Sequence, residues 1–154
     1  MIKESGPEGS SKIEVKNVRS VIRYDKAWTS GNAAQLSECV SSQFLAHGHK
    51  GTQLIQRDKY LESVSQFSQE YKVIRFHRDM IFAKKDMVAS AYTGELVHKK
   101  RDVHIKNFRS INIYRLRRQK IVELWFGRDE LALYQGLGIL PSDQEIMFAV
   151  LNLD

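Results

Sequence analysis

The stretch 71–127, YKVIRFHRDMIFAKKDMVASAYTGELVHKKRDVHIKNFRSINIYRLRRQKIVELWFG, decides the fold. The three- and four-residue spacing of the segment before it stops after Glu70, and the pattern becomes that of extended chain. Four long strands are expected: Tyr71 to Lys84, Met87 to Lys100, Val103 to Arg118 and Lys120 to Gly127. The breaks fall at Lys85-Asp86, around Arg101-Asp102 and at Arg118-Gln119. The first and last are short enough for hairpins, so the strands should run antiparallel.

Upstream the period is helical. Val18, Val21, Ile22, Asp25 and Trp28 share one face of a helix that should end at Ser30, where Gly31 stops it. Asn32 can cap a second helix, Ala33 to Val40. Ser41 to His49 reads as a short strand and Lys50-Gly51 as a turn. Tyr60, Leu61, Val64 and Phe67 mark a third helix within Arg57 to Gln69. Downstream, Asp129 opens a short helix through Tyr134, stopped by Gly136 and Gly138. The apolar segment Ile146 to Leu153 should dock on the body. Residues 1–14 read as a mobile tail and 15–154 as one domain.

Helices first and strands afterwards mean an α+β class, with a curved antiparallel sheet wrapping the helices around an apolar pocket. Such a pocket suits a small ligand.

Composition removes other classes. The 154 residues include one cysteine, Cys39, so an intramolecular disulfide and a cysteine zinc cluster are excluded. The histidines lack ligand spacing, and no metal is expected. No apolar run is long enough to span a bilayer, and the polar N-terminus lacks a signal-like core, which is compatible with a reducing cytoplasm. The net charge of +6 is scattered, which argues against nucleic acid as a partner. Its densest groups, His98 to Arg101 and Arg115 to Arg118, read as solvated turns.

The segment from Arg117 to Asp129, RRQKIVELWFGRD, followed by Leu131, Leu133 and Gln135-Gly136-Leu137-Gly138, resembles the C-terminal signature of SnoaL-like polyketide cyclases. That signature is a hairpin, K-I-V-E-x-W, an Asp a few residues on, and a leucine-rich helix. The resemblance spans about Val15 to Pro141. It implies the cone-shaped fold of the nuclear transport factor 2 superfamily, dimeric through its sheet. It also implies cyclase, isomerase or lyase chemistry on a small ligand, without a cofactor. This sequence has His98 to His104 where relatives carry a Gly/Pro/Thr-rich loop, and Q-G-L-G for Q-Q-L-G.

By that resemblance Asp129 is the general acid/base. A carboxylate in an apolar pocket has its charged form disfavoured, which raises its pKa toward neutrality. The residues themselves allow a second reading, because Asp129 is also placed as a helix N-cap. Arg109 and Asn107 lie on a strand face with Val103, Ile105, Ile111 and Ile113, so they are expected to point inward and to need partners. They can stabilise an oxyanion, or Arg109 can pair with a carboxylate. His47 is placed for proton transfer near neutral pH. Tyr24, Trp28, Phe44, Phe67, Tyr92 and Trp125 are the expected aromatic lining for a flat apolar or aromatic ligand. Two alternatives stand beside the enzyme. One is a non-catalytic module of the same fold that binds a ligand or dimerises. The other is an epoxide hydrolase with two carboxylates bridged by Arg109, for which no second Asp is placed.

Overall fold

The computed structural model describes residues 11–152. Its order is α1 (Lys12–Ser30), α2 (Ala33–Cys39), β1 (Val40–Gly48), β2 (Gly51–Gln56), α3 (Arg57–Glu70), β3 (Tyr71–Lys84), β4 (Met87–His98), β5 (Val103–Arg117), β6 (Lys120–Arg128), α4 (Glu130–Gly136) and α5 (Asp143–Leu151). This is an α+β fold with one curved, unclosed sheet ordered β2-β1-β6-β5-β4-β3.

Helix α1 starts earlier than its apolar spacing suggests. Ser11 and Glu14 form a capping box, so Lys12 to Glu14, expected in the tail, are helical. Residues 1–10 of that expected tail lie outside the described residues. The Glu14 carboxylate also accepts from the Lys85 amide at 2.8 Å, and Asn17 donates to the Lys85 carbonyl at 3.1 Å. These two bonds pin the first two turns of α1 to the β3–β4 hairpin. Gly31 ends the helix at φ +67°, a left-handed conformation that glycine adopts without a Cβ penalty.

The four long strands lie where the sequence places them, to within a residue or two. Two features of the sheet differ. It is mixed, because β1 runs parallel to β6. Parallel neighbours need a long crossover, and everything from β2 to β5 forms it here. Strand β2 has no sequence signal, since Gly51 to Gln56 is mostly polar and only Ile55 is half-buried at this edge.

The packed core lies toward one end of the strands. Val21, Leu36, Val40, Val88, Tyr114 and Ile121 are essentially solvent-free, and register places Val88 beside Tyr114 and Ile121 beside Val40. Fully burying side chains of this size contributes about 1.5–3 kcal/mol each. Toward the other end the sheet and helices part, leaving a cavity.

A bulge in β5 decides what faces that cavity. Ile105 pairs with Leu96 and Phe108 pairs with Gly94, so Lys106 and Asn107 together oppose Glu95. Asn107 absorbs the extra residue at φ +56°, which asparagine tolerates better than most side chains. Beyond it the alternation is shifted by one. The inward residues become Phe108, Ser110, Asn112 and Tyr114, while Arg109, Ile111 and Ile113 turn outward. The inward face expected through Asn107 and Arg109 is corrected on this ground.

The final apolar segment forms α5, capped by Ser142 and Glu145. Met147, Phe148, Val150 and Leu151 are exposed on it, so its described residues do not dock as expected; Leu153 lies outside the described residues. Among the described residues no helix is long and apolar enough to cross a membrane.

Candidate active site

The cavity has a volume of about 650 Å³, within the range of sites for small organic ligands. Tyr24 and Trp28 of α1, Phe44 of β1, Tyr60 and Phe67 of α3, Phe76 of β3, Tyr92 of β4, Phe108 of β5 and Phe126 of β6 supply its aromatic walls. Gly48 leaves room for one of them. A Cβ there would stand 2.5 Å from the Phe126 ring.

One carboxylate lies in this wall: Asp25 on α1, 4% exposed. Its Oδ2 accepts from Arg78 Nη2 at 2.8 Å. The Tyr92 hydroxyl donates to the carboxylate at 3.0 Å from each oxygen. Burial pushes the Asp25 pKa from 3.8 up to about 6, against the opposing pull of Arg78, Tyr92 and Tyr114. Burial dominates because a half-exposed arginine and phenol dipoles do not restore the hydration lost in an apolar cavity.

The hydroxyls around Asp25 form a directed chain. Ser110 donates to Asn112 Oδ1 at 3.0 Å, and Asn112 Nδ2 donates to the Tyr114 hydroxyl at 3.1 Å. Tyr114 is then free to donate to Tyr92, 3.2 Å away, and Tyr92 to Asp25. Ser90 also bonds the Tyr92 hydroxyl, and the Tyr24 and Tyr60 hydroxyls bond each other. Burial raises the pKa of all four tyrosines, that of Tyr60 to about 12. They therefore remain protonated donors across the physiological range. Within these side-chain hydroxyl and amide bonds two donor hydrogens are unclaimed, the second amide hydrogen of Asn112 and one hydroxyl hydrogen of the Tyr24–Tyr60 pair. The buried Nε of Arg78, beside Asp25, also has no partner among the described residues.

Tyr24, Trp28, Phe44, Phe67 and Tyr92 lie in the cavity wall, where the sequence places them. Five other sequence-derived candidates lie outside it. Asn107 and Arg109 are on the outer side of β5 for the reason given above. His47 and Trp125 are register partners on the outer face and stack with centroids 4.6 Å apart. His47 Nε2 meets Glu123 at 2.8 Å and its Nδ1 meets the Thr52 hydroxyl at 2.8 Å. Glu123 in turn binds Arg115 at 2.5 Å. Inward and outward positions alternate along β6, so the inward Leu124 and Phe126 leave Trp125 outside. Asp129 caps α4, accepting from the Ala132 amide at 3.0 Å.

The sequence reading missed Asp25 as a site residue, together with Tyr60, Ser110, Asn112 and Tyr114. The signal for Asp25 was present. A charged residue occupied the apolar stripe Val18, Val21, Ile22, Trp28. The β5 residues carried no such mark, because an unseen bulge reversed their parity. Among the described residues no cluster of three or more His, Cys, Asp or Glu side chains is placed to hold a metal ion.

Comparison with known proteins places this geometry. The sequence pattern of the family described as SnoaL-like polyketide cyclase matches residues 19–137. No curated protein matches the chain. Among solved structures, AclR from Streptomyces galilaeus superposes with a TM-score of 0.71 at 14% identity, covering 89% of this chain and 94% of that one. A SnoaL-like protein from Jannaschia sp. CCS1 gives 0.69 at 15% identity over 86% and 98%. An LEH-like epoxide hydrolase from M. tuberculosis gives 0.67 at 12% identity over 81% and 91%. At these identities the likeness shows a shared fold, the α+β cone of nuclear transport factor 2-like proteins. With the family pattern spanning helices, cavity and C-terminal hairpin alike, the chain belongs to the SnoaL-like polyketide cyclase family.

Proposed function

We propose that this protein is an acid/base enzyme of the cyclase or isomerase kind, with Asp25 as the proton-transfer group. The carrying observation is a single carboxylate in an aromatic cavity, its pKa raised to about 6. A base poised near neutrality accepts a proton from a C–H beside a carbonyl without being too weak or too fully protonated. The C–H electron pair moves to the carbonyl oxygen as an enolate. The unclaimed hydrogens of Asn112 and of the Tyr24–Tyr60 pair are donors for that oxygen. Protonated Asp25 returns the proton to a different carbon in an isomerisation. In a cyclisation the enolate carbon attacks a second carbonyl, and the proton goes to the new alkoxide. The reading calls on no cofactor, and a lone cysteine fits a reducing cytoplasm.

Asp25 is preferred to Asp129 here because Asp129 is engaged as a cap and stands outside the cavity lining. Epoxide hydrolysis by two carboxylates is disfavoured, since the described lining holds one.

The test is hydrogen–deuterium exchange at the α-carbons of a bicyclic ketone such as 2-tetralone in D₂O, followed by proton NMR. Wild type is expected to accelerate exchange, with a rate that rises through an inflection near 6. Asp25→Asn should lower it by about 10²–10⁴-fold, and Asp129→Asn should leave it unchanged. Equal rates in wild type and Asp25→Asn, or no acceleration over buffer, would defeat the assignment.

The same reading includes a homodimer through the outer sheet face. Trp125, Ile113, Ala89 and Phe82 follow one another across that face in register. Ile111, 64% exposed, and Met80 extend the apolar patch in the next row. Contiguous apolar surface of this kind marks an interaction site. Sedimentation should give a dimer for wild type and a monomer for Ile111→Glu/Phe82→Glu. A monomeric wild type contradicts it.

A further inference from the structure

The cavity is charged unevenly, and the unevenness points to a class of ligand. Its inner end holds the one carboxylate, buried among tyrosines. Its exposed ionisable lining residues are His49 and Lys50 in the β1–β2 turn, Lys59 on α3, Arg75 on β3 and Arg128 at the end of β6. The lysine and arginine side chains among them come from four different parts of the fold, including both ends of the strand order, so they surround the opening rather than mark one side. No acidic residue stands among the exposed lining residues.

Neighbouring carboxylates neutralise part of this ring. Glu130 lies 3.2 Å from His49 and 3.6 Å from Arg128, and Glu62 lies 2.9 Å from Lys59. Lys50 and Arg75 form no ion pair among the described residues. The walls between the two ends are apolar and of low dielectric, which focuses the field of unneutralised cations along the opening. Charges that merely kept the protein soluble would not concentrate one sign on the lining of an aromatic cavity.

We propose that the cavity selects a flat, apolar ring compound carrying an anionic group. The ring body lies between the aromatic walls, and the anion stays at the mouth, in the field of the unpaired Arg75 and Lys50. This rests on the acid/base reading only in placing the reacting carbon at the inner end near Asp25. The mouth's preference for an anion stands without it.

A matched pair of fluorescent probes tests the preference. 8-Anilinonaphthalene-1-sulfonate and N-phenyl-1-naphthylamine share an aromatic body and differ in the sulfonate. The sulfonate should bind at least about tenfold tighter at low salt, and the ratio should fall toward one in 0.5 M salt. It should fall likewise in Arg75→Gln/Lys50→Gln, with the affinity of the neutral probe unchanged. Ser63→Trp, which places a large ring on an exposed position of the lining, should abolish binding of both. Asp25→Asn should keep the preference even where it stops proton exchange, so failure of the acid/base reading and failure of the anion preference are read separately. A ratio near one in wild type, a ratio unmoved by the double variant, probe binding that survives Ser63→Trp, or no binding of either probe overturns the proposal.

Discussion

Asp25→Asn is expected to gain stability on wild type as pH rises from 4.5 to 8, by about 2 kcal/mol. The wild-type carboxyl has a folded pKa of about 6 against an ordinary value of 3.8. Its contribution to stability is therefore fully present below the unfolded value, where both states are protonated. It is lost as pH rises through about 6, because folding then holds a charge in an apolar wall. The rise corresponds to about 3 kcal/mol in all, and about 2 of these fall between pH 4.5 and 8. Asparagine does not titrate, so the difference between the two proteins isolates this carboxyl from every other group. Loss of the Arg78 partner adds an offset that is constant as long as Arg78 stays charged. For a chain of this length the relative change in Tm should be about 4–8 °C. Melting both proteins at the two pH values checks it. A difference that does not change with pH would mean that Asp25 is ionised at no cost, and the proton-transfer reading would lose its chemical basis.

Tyr114→Ala should cost about 3–5 kcal/mol, the range for removing a buried ring. Tyr114 is 0% exposed, meets Tyr24 edge to face at 5.6 Å, and lies on the core register beside Val88. Tyr114→Phe separates the hydroxyl from the ring and should cost about 1–3 kcal/mol. It leaves the Asn112 amide donor without its acceptor and takes a partner from Tyr92. Because Tyr114 also pulls the Asp25 pKa down, the phenylalanine variant should move the exchange inflection upward. Urea midpoints at constant slope measure the first effect, and the pH profile of deuterium exchange the second. A Phe variant as stable as wild type would show that the hydroxyl chain contributes nothing to the fold.

Much of the architecture was legible before any coordinates. The strand breaks at Lys85-Asp86 and Arg118-Gln119 are local chemistry: Lys85, Arg118 and Gln119 all take positive φ, as tight hairpin turns require. The stripe on α1 and the Asn32 cap are likewise local. Strand β2 was not legible, because an edge strand with one half-buried residue carries almost no hydrophobic alternation. Nor was the parallel β1–β6 pair, which joins segments about eighty residues apart in the chain.

The site divided along the same line. Tyr24, Trp28, Phe44 and Tyr92 are large aromatics on faces whose period survives into the structure, so composition and spacing placed them in the wall. Asn107, Arg109, His47 and Trp125 are polar or amphipathic residues on strands, where one bulge or one step of register sends a side chain to the other face. The sequence by itself determined that this chain makes helices first, strands afterwards, and an aromatic cavity between them, because those outcomes rest on short-range periodicity. Only the tertiary structure decided that Asp25 is the cavity carboxylate, that Asp129 caps a helix, and that the mouth is cationic. The first and last depend on which residues from distant segments share a low-dielectric space, which no spacing along the chain encodes directly. The Asp129 cap is a local contact the sequence allowed, and the tertiary structure chose it by leaving Asp129 outside the cavity lining.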